Sequence, residues 1–150
     1  EEALSMADQL AVMCDGRIVQ VGAPDAVHDR PASAWVATFL GHGCLVPMIE
    51  RDGLAETSLG AVRTAQVVAG ASRLLIRPEH LRLMAPGEGA CDAVVEARRF
   101  EGSTVMLVLR AGDIEGLWAT CPPDQRSLRV GDRVGLLLRD DPPLVALADP

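Results

Sequence analysis

The stretch LLIRPEHLRL (residues 74–83) combines an apolar strand pattern with an abrupt charged break. The break is Arg77-Pro78-Glu79-His80, and the residue before a proline is pushed into an extended conformation. A kinked, charged interruption of this kind can turn a strand across the corner of a β-barrel. The sequence therefore predicts a strand, a sharp corner and a change of direction within ten residues.

Two interpretations of the charged residues at this corner are open. In the functional one, Arg77, Glu79 and His80 form an anion or effector site. In the structural one, an Arg77–Glu79 pair stabilises the corner, and His80 is a surface or internally satisfied side chain. The sequence favours the structural interpretation, because no second cluster of charges converges on this motif.

Short strand patterns continue on both sides of the corner. Each is rich in Val, Ile and Leu and is bounded by turn signals such as Asp-Gly or Val-Gly-Asp. About seven or eight short strands at this spacing predict a small β-barrel or sandwich. The strand patterns are CLVPMIE, AVRTAQVV, RLLIRP, DAVVEARRF, TVMLVLR, IEGLWAT, RVGLLLR and LVAL.

The pattern TVMLVLR is apolar on both faces. Val105, Leu107 and Leu109 would face one side, and Met106 and Val108 the other. We expect this strand to be central, or its outer face to meet a partner.

The first forty residues show a different pattern. LAVM and RIVQV flank Asp15-Gly16, which predicts a β-hairpin with a type I′ turn. A short helix is expected before it, over the first seven residues, and another from Pro24 to His28. A further helix follows Pro31, with Trp35, Val36, Phe39 and Leu40 expected on one face and Gly41 ending it.

Composition excludes several classes of function. The net charge of −7 argues against binding a phosphate backbone. Trp35 and Trp118 are too few and too far apart to predict a base-stacking platform. No apolar run approaches the roughly 18 residues needed to span a bilayer, and no signal peptide is visible. The 4 cysteines form no CxxC pair, so we expect reduced thiols.

The remaining polar candidates predict neither catalysis nor metal binding. His28 lies among acids and is expected to be solvated, while His42 suits the C-terminal end of a helix. The pair Asp140-Asp141 sits in a proline-flanked turn. Cys121 has no neighbouring His to activate it as a nucleophile.

Residues 1–41 resemble the end of the nucleotide-binding domain of ABC-transporter ATPase subunits that serve bacterial importers. The likeness includes EEAL-x-x-AD, VM-x-DGRIVQ-G, the RPAS helix start and the FLG end. Importers often have Thr where this chain has Ala23, so a helix N-cap hydroxyl worth about 1 kcal/mol is expected to be missing. IRPEHLRL and the V-G-D-x-V turn resemble the TOBE domain, an OB-type β-barrel appended to these ATPases.

The resemblance implies a mainly β fold: a small TOBE barrel over residues 42–150, preceded by a short α/β arm over residues 1–41. It implies a C-terminal regulatory and dimerisation domain of an importer ATP-binding subunit, with ferric-iron importers most alike. A small-anion or effector-sensing domain of a spermidine/putrescine, sugar or molybdate-type importer is the alternative.

The sequence lacks a G-x-x-x-x-G-K-[ST] loop, an LSGGQ-type signature and an apolar strand ending in Asp-Glu. We therefore expect no catalytic, cofactor or metal site in these residues, with ATP and magnesium bound elsewhere in the parent subunit. The resemblance further implies a homodimer through the barrel, contact with inner-membrane permease subunits, and a location at the cytoplasmic face of that membrane.

In the intact subunit, the arm would pack against the rest of the ATPase domain. We accordingly expect Leu4, Val12, Ile18 and Trp35 to have apolar faces without their usual cover. Self-association, exchange of the arm between two copies, or disorder of the arm would follow.

Overall fold

The chain folds into a small N-terminal arm and a larger β domain. The computed structural model describes residues 7–67 and 70–148. The helix expected at the N-terminus falls largely on residues outside these ranges, as does Leu4.

The arm opens with the predicted hairpin. Strands β1 (Leu10–Cys14) and β2 (Arg17–Gly22) pair antiparallel. The turn residues Asp15 and Gly16 have φ of 48° and 76°, positive at both central positions as a type I′ turn requires. The hairpin prediction is confirmed.

Two short helices complete the arm: α1 (Pro24–Asp29) and α2 (Ala34–Phe39). Ala23 occupies the N-cap of α1 and makes no side-chain cap bond, as its missing hydroxyl predicts. The N-cap of α2 is Ser33, whose Oγ accepts a hydrogen bond from the backbone N–H of Val36 at 3.3 Å.

The face predicted for α2 is wrong in part. Val36 is fully buried, together with Val12 and Val27, and Leu40 packs against this cluster. Trp35 and Phe39 lie on another side of the helix, because residues four apart stack on each other while Val36 is rotated by about 100° from Trp35.

The predicted exposure of the arm is correct for two residues and wrong for one. Ile18 and Trp35 are exposed, whereas Val12 is only 2% exposed because the helices of the arm cover it.

Strands β3 to β13 form the β domain, and every strand pattern predicted from the sequence is present. Their bounds are β3 (Cys44–Pro47), β4 (Ile49–Arg51), β5 (Leu54–Thr57), β6 (Gly60–Val67), β7 (Arg73–Ile76), β8 (Leu81–Met84), β9 (Cys91–Glu101), β10 (Thr104–Ala111), β11 (Ile114–Thr120), β12 (Arg133–Leu138) and β13 (Leu144–Leu147).

Two sheets face each other across one core. The first has the order β3-β7-β13-β6-β5-β4, and the second has the order β11-β10-β9-β12-β8. Together they make the nearly closed, barrel-like, mainly β architecture that the sequence predicts. The first sheet contributes Leu74 and Leu144 to the core and the second contributes Leu107 and Leu136, all fully buried.

The strand β10 is central, as its two apolar faces predict. It pairs with β9 on one side and β11 on the other. Val105, Leu107 and Leu109 point into the core, and Met106 on the opposite face is also buried.

The charged motif forms the predicted corner. Strand β7 ends at Ile76 in the first sheet, a 3₁₀ turn spans Pro78–His80, and β8 begins at Leu81 in the second sheet. The chain therefore changes sheets within these few residues. Arg77 has φ of −115° and ψ of 165°, the extended conformation that a following proline favours.

A tight crossing lies in the second sheet, at the end of β8 away from this corner. The segment between β8 and β9 runs directly over β12. A Cβ on Gly135 would overlap the carbonyl oxygens of Glu88 and Ala85, and a Cβ on Gly89 would overlap the carbonyl of Leu136. Glycine is therefore required at both positions.

Candidate ligand cavity at the strand corner

Arg77 and His80 are held together by the backbone of the corner. The N–H of Arg77 donates to Nδ1 of His80 at 3.0 Å, and the N–H of His80 donates to the carbonyl of Arg77 at 3.0 Å. The two residues are only 4% and 5% exposed. The ring of His80 is thus fixed by the turn that the proline starts.

The geometry identifies the protonation state of His80. A backbone N–H can only donate, so Nδ1 must be the unprotonated acceptor and the ring is neutral. Burial lowers the pKa of His80. The carboxylates of Glu79 and Asp29 oppose this shift, whereas Arg77 and His28 lower the pKa further. His80 is the internally satisfied side chain that one interpretation of the sequence expected.

Arg77 connects the β domain to the arm. Its Nη2 donates to the carbonyl oxygen of His28 at 3.0 Å, across 49 positions of sequence. Burial lowers the pKa of Arg77, and the carboxylates of Glu79 and Asp29 oppose that shift. The guanidinium remains charged, because its ordinary pKa lies far above neutrality.

A cavity of about 430 Å³ opens beside these two residues. The arm and the β domain both contribute to its wall, since the end of α1 meets the corner and the segment leading into β13. The lining residues are Asp29, Arg30, Leu75, Arg77, Glu79, His80, Pro142, Pro143 and Val145.

The charged groups of this corner cavity balance in sign. Arg30 and Arg77 are cationic, and Asp29 and Glu79 are anionic. Within residues 7–67 and 70–148, the side chains of Arg30 and Glu79 form no hydrogen bond or ion pair. Asp29 uses Oδ1 to contact Nδ1 of His28 at 3.0 Å.

The structure brings the three predicted residues of the corner motif together at one wall of the cavity. The Arg77–Glu79 ion pair of the structural interpretation is absent from the described residues, because the guanidinium turns toward the carbonyl of His28 instead. Sequence reasoning missed the contribution of Arg30, Pro142 and Pro143, since no local pattern links residues so distant in the chain.

A second cluster joins the loop after α2 to the second sheet. The ring of His42 stacks on Trp118 with centroids 4.0 Å apart, and its Nε2 lies 3.6 Å from Oε1 of Glu101. The guanidinium of Arg99 lies 5.0 Å from the centroid of Trp118. Trp118 is therefore covered by two side chains, a contact that no sequence pattern predicted.

The cysteines offer no activated nucleophile among the described residues. All four are free thiols. Cys121 is buried, and burial raises the pKa of its thiol, although Arg98 and Arg126 oppose the shift. A raised pKa disfavours the thiolate that nucleophilic chemistry needs.

No helix in the described ranges has the length and apolar character needed to cross a bilayer. The same ranges contain no group of three or more His, Cys, Asp or Glu side chains placed to hold a metal ion.

Comparison with known proteins identifies two levels of similarity. Residues 74–145, from β7 to β13, match the TOBE domain family. Over 140 residues the chain is 41% identical to the Fe(3+) ions import ATP-binding protein FbpC of Pseudomonas fluorescens, covering 89% of this chain and 40% of that protein.

Two further relatives show how broad the similarity is. The sulfate/thiosulfate import ATP-binding protein CysA of Rhodopseudomonas palustris is 36% identical over 143 residues, which is 91% of this chain and 40% of that protein. The Fe(3+) ions import ATP-binding protein FbpC 1 of Rhodococcus jostii is 33% identical over 140 residues, which is 90% of this chain and 40% of that protein. The chain spans about 40% of the length of these relatives.

Proposed function

We propose that this chain regulates an ABC importer ATP-binding subunit and mediates its dimerisation. The premise is that the chain carries a TOBE domain and matches a C-terminal portion of such subunits. One observation carries the proposal. The 41% identity extends over 89% of the chain, so it includes the arm as well as the barrel. A match to the barrel alone would leave the arm out.

ATP hydrolysis then belongs to another part of the longer subunit, where ATP and magnesium bind. The purified 150-residue chain is expected to show no nucleotide turnover above the blank when mixed with magnesium and ATP. Saturable, magnesium-dependent release of phosphate by this chain would contradict the proposal.

Dimerisation through the β domain is the second part of the proposal. Exposed apolar side chains on its strands and loops support it, namely Ile49, Phe100, Val130 and Leu137. An interface of this kind is driven by burial of apolar area and should persist at high salt. Sedimentation at 0.05 and 1 M salt tests this prediction, because an interface based on charge pairs would dissociate at the higher concentration.

The parent subunit is expected at the cytoplasmic face of the inner membrane, held there by permease subunits. Fractionation of cells that express the full-length subunit with and without its permease tests this. Membrane association that does not depend on the permease would contradict the proposal.

Iron(III) is the proposed transported solute, because an iron importer subunit shows 41% identity and a sulfate importer subunit 36%. Cells lacking the parent gene should take up less radioactive iron and take up sulfate normally. A selective loss of sulfate uptake would favour the other relative instead.

The corner cavity favours a second candidate function, which is the sensing of an effector. This alternative includes the small-anion or effector-sensing domains of spermidine/putrescine, sugar or molybdate-type importers. A buried cationic side chain facing a cavity supports it, since regulatory ligands bind in concave sites with a few placed polar groups. Calorimetry with molybdate, phosphate and polyamines tests these classes directly.

A further inference from the structure

We propose that the corner cavity binds a small zwitterion, a molecule that carries one carboxylate and one ammonium group, such as a free α-amino acid. The proposal names the ligand class for the effector-sensing candidate above. Binding itself requires only the chain, whereas any effect on transport rests on the proposed function.

Arg77 supplies the main contact for the carboxylate. The side chain is 4% exposed, and among the described residues only its Nη2 atom has a hydrogen-bond partner. Every fully buried side-chain nitrogen or oxygen among the described residues has a partner. The other guanidinium nitrogens of Arg77 are therefore not sealed inside the protein, and Arg77 is one of the residues that line the cavity. Arg30 adds a second guanidinium at the rim.

Glu79 and Asp29 supply the contacts for the ammonium group. The carboxylate of Glu79 is exposed and has no hydrogen bond or ion pair to any residue of the described ranges. Asp29 contacts His28 through Oδ1, which leaves Oδ2 for a ligand. An ammonium group can donate to both carboxylates because it carries three N–H bonds.

The rest of the cavity wall is apolar. Leu75 comes from β7, Val145 from β13, and Pro142 and Pro143 from the segment before β13. A volume of about 430 Å³ is within the usual range for small-molecule sites, roughly 300 to 1,000 Å³. An aliphatic side chain of a ligand can pack on this wall.

The balance of charges selects against ligands of a single sign. A multiply charged anion would gain contacts with Arg77 and Arg30 but would meet Glu79 and Asp29 at the same wall. A polyamine would meet the two guanidinium groups, one of them buried. A dipolar ligand avoids both repulsions and can satisfy each group with its opposite.

The ligand would connect the two parts of the molecule. Asp29 and Arg30 lie at the end of the arm, and Arg77 and Glu79 lie at the corner of the barrel. Occupancy would add contacts across this boundary and restrain the arm against the β domain.

Isothermal titration of the 150-residue chain with each of the twenty amino acids tests the proposal. At least one should bind with a Kd of millimolar or better. The matched analogues of that amino acid without the amino group and without the carboxylate should each bind at least tenfold more weakly. For leucine these are 4-methylpentanoate and isopentylamine. Absence of binding by all twenty, or tighter binding of phosphate, molybdate or spermidine, would overturn the proposal.

Variants locate the site without disturbing the core. Arg30→Gln and Glu79→Gln change exposed side chains and should each weaken binding of the amino acid at least tenfold. The controls Arg82→Gln and Glu88→Gln make the same charge changes outside the cavity and should keep wild-type affinity. Equal affinity in all four variants would place the ligand elsewhere and refute the assignment. A chain that binds no zwitterion but still dimerises would leave the proposed function standing.

Discussion

The β domain and the arm are stabilised in different ways. One continuous aliphatic cluster runs through both sheets of the barrel, with Leu107 and Leu136 at zero exposure. The arm has a core of three buried valines, and its hairpin exposes Met13, Ile18, Val19 and Val21. The barrel carries its own core, whereas the arm leaves several large apolar side chains exposed.

Because of this difference, the contacts at the boundary between the two parts matter for the stability of the arm. Ala37 of α2 packs on Leu75 and neighbouring apolar residues of the barrel, and the guanidinium of Arg77 holds the carbonyl of His28. The barrel thus supplies part of the stability of the arm. The corner cavity lies at this boundary, where a ligand could alter the connection.

The largest expected effect tests whether the backbone of the barrel is packed too closely at Gly135 to accept a side chain. Gly135→Ala places a methyl group where the carbonyl oxygens of Glu88 and Ala85 lie, so backbone must move and the crossing over β12 must open. We expect a loss of about 3 kcal/mol or more in the free energy of unfolding, measured by urea titration. Arg139→Ala directly after the same strand is the control and should cost much less, because that side chain is exposed. Two equal losses would contradict the crossing.

A pair of core truncations compares the two regions directly. Leu107→Ala removes a fully buried side chain from the barrel core and should lower the free energy of unfolding of the whole chain by about 3 kcal/mol. Val36→Ala removes an equally buried side chain from the arm and should loosen only the arm. Urea titration followed by Trp118 and Trp35 fluorescence checks this. A single shared transition that both variants shift equally would show that the arm and barrel form one cooperative unit.

The boundary between the regions should respond to pH through His80. Burial lowers the folded-state pKa of His80 below its usual 6.5, so the unfolded state binds the proton more readily. The stability contributed by the neutral ring is fully present above about pH 6.5 and is lost as pH falls through the lowered folded-state pKa. The slope cannot exceed about 1.4 kcal/mol per pH unit, the limit for one proton.

The substitution His80→Asn provides the comparison, since an amide oxygen can still accept a hydrogen bond but does not titrate. The variant should lose the slope of stability against pH between pH 7 and 5. Calorimetric melting at several pH values measures it. An unchanged slope in the variant would assign the pH dependence to other groups.

The sequence was sufficient for most of the fold because its signals were local. The Asp-Gly turns, the alternating apolar patterns and the proline of the corner each act over a few residues. The strands β5 and β8 were missed as separate elements, since LAET carries little apolar pattern and LRLM follows the charged break without a turn signal.

The candidate site was only half predictable. The sequence indicates Arg77, Glu79 and His80, because these residues interrupt an apolar strand pattern with charges. The contribution of Arg30 and the bond from Arg77 to His28 depend on how the arm docks on the barrel, which is a tertiary contact. The stacking of His42 on Trp118 is unpredictable for the same reason.

The smallest expected effect concerns the arm alone. Ala23→Ser adds a hydroxyl at the N-cap of α1, where the extended backbone already has the right conformation for a cap. The arm should gain about 0.5 to 1 kcal/mol, and Ser33→Ala at the cap of α2 should lose a similar amount. Hydrogen exchange of the helix amides measures both changes. A shift in the barrel amides instead would contradict the independence of the two regions.

Native-state hydrogen exchange of the unmodified 150-residue chain tests the central claim most directly. The claim is that the barrel is stable on its own and the arm depends on added contacts. We predict that amides of β9, β10 and β12 exchange only through global unfolding, while amides of β1 and β2 exchange through a local opening of lower free energy. Equal protection of the hairpin and of β10 would contradict this account.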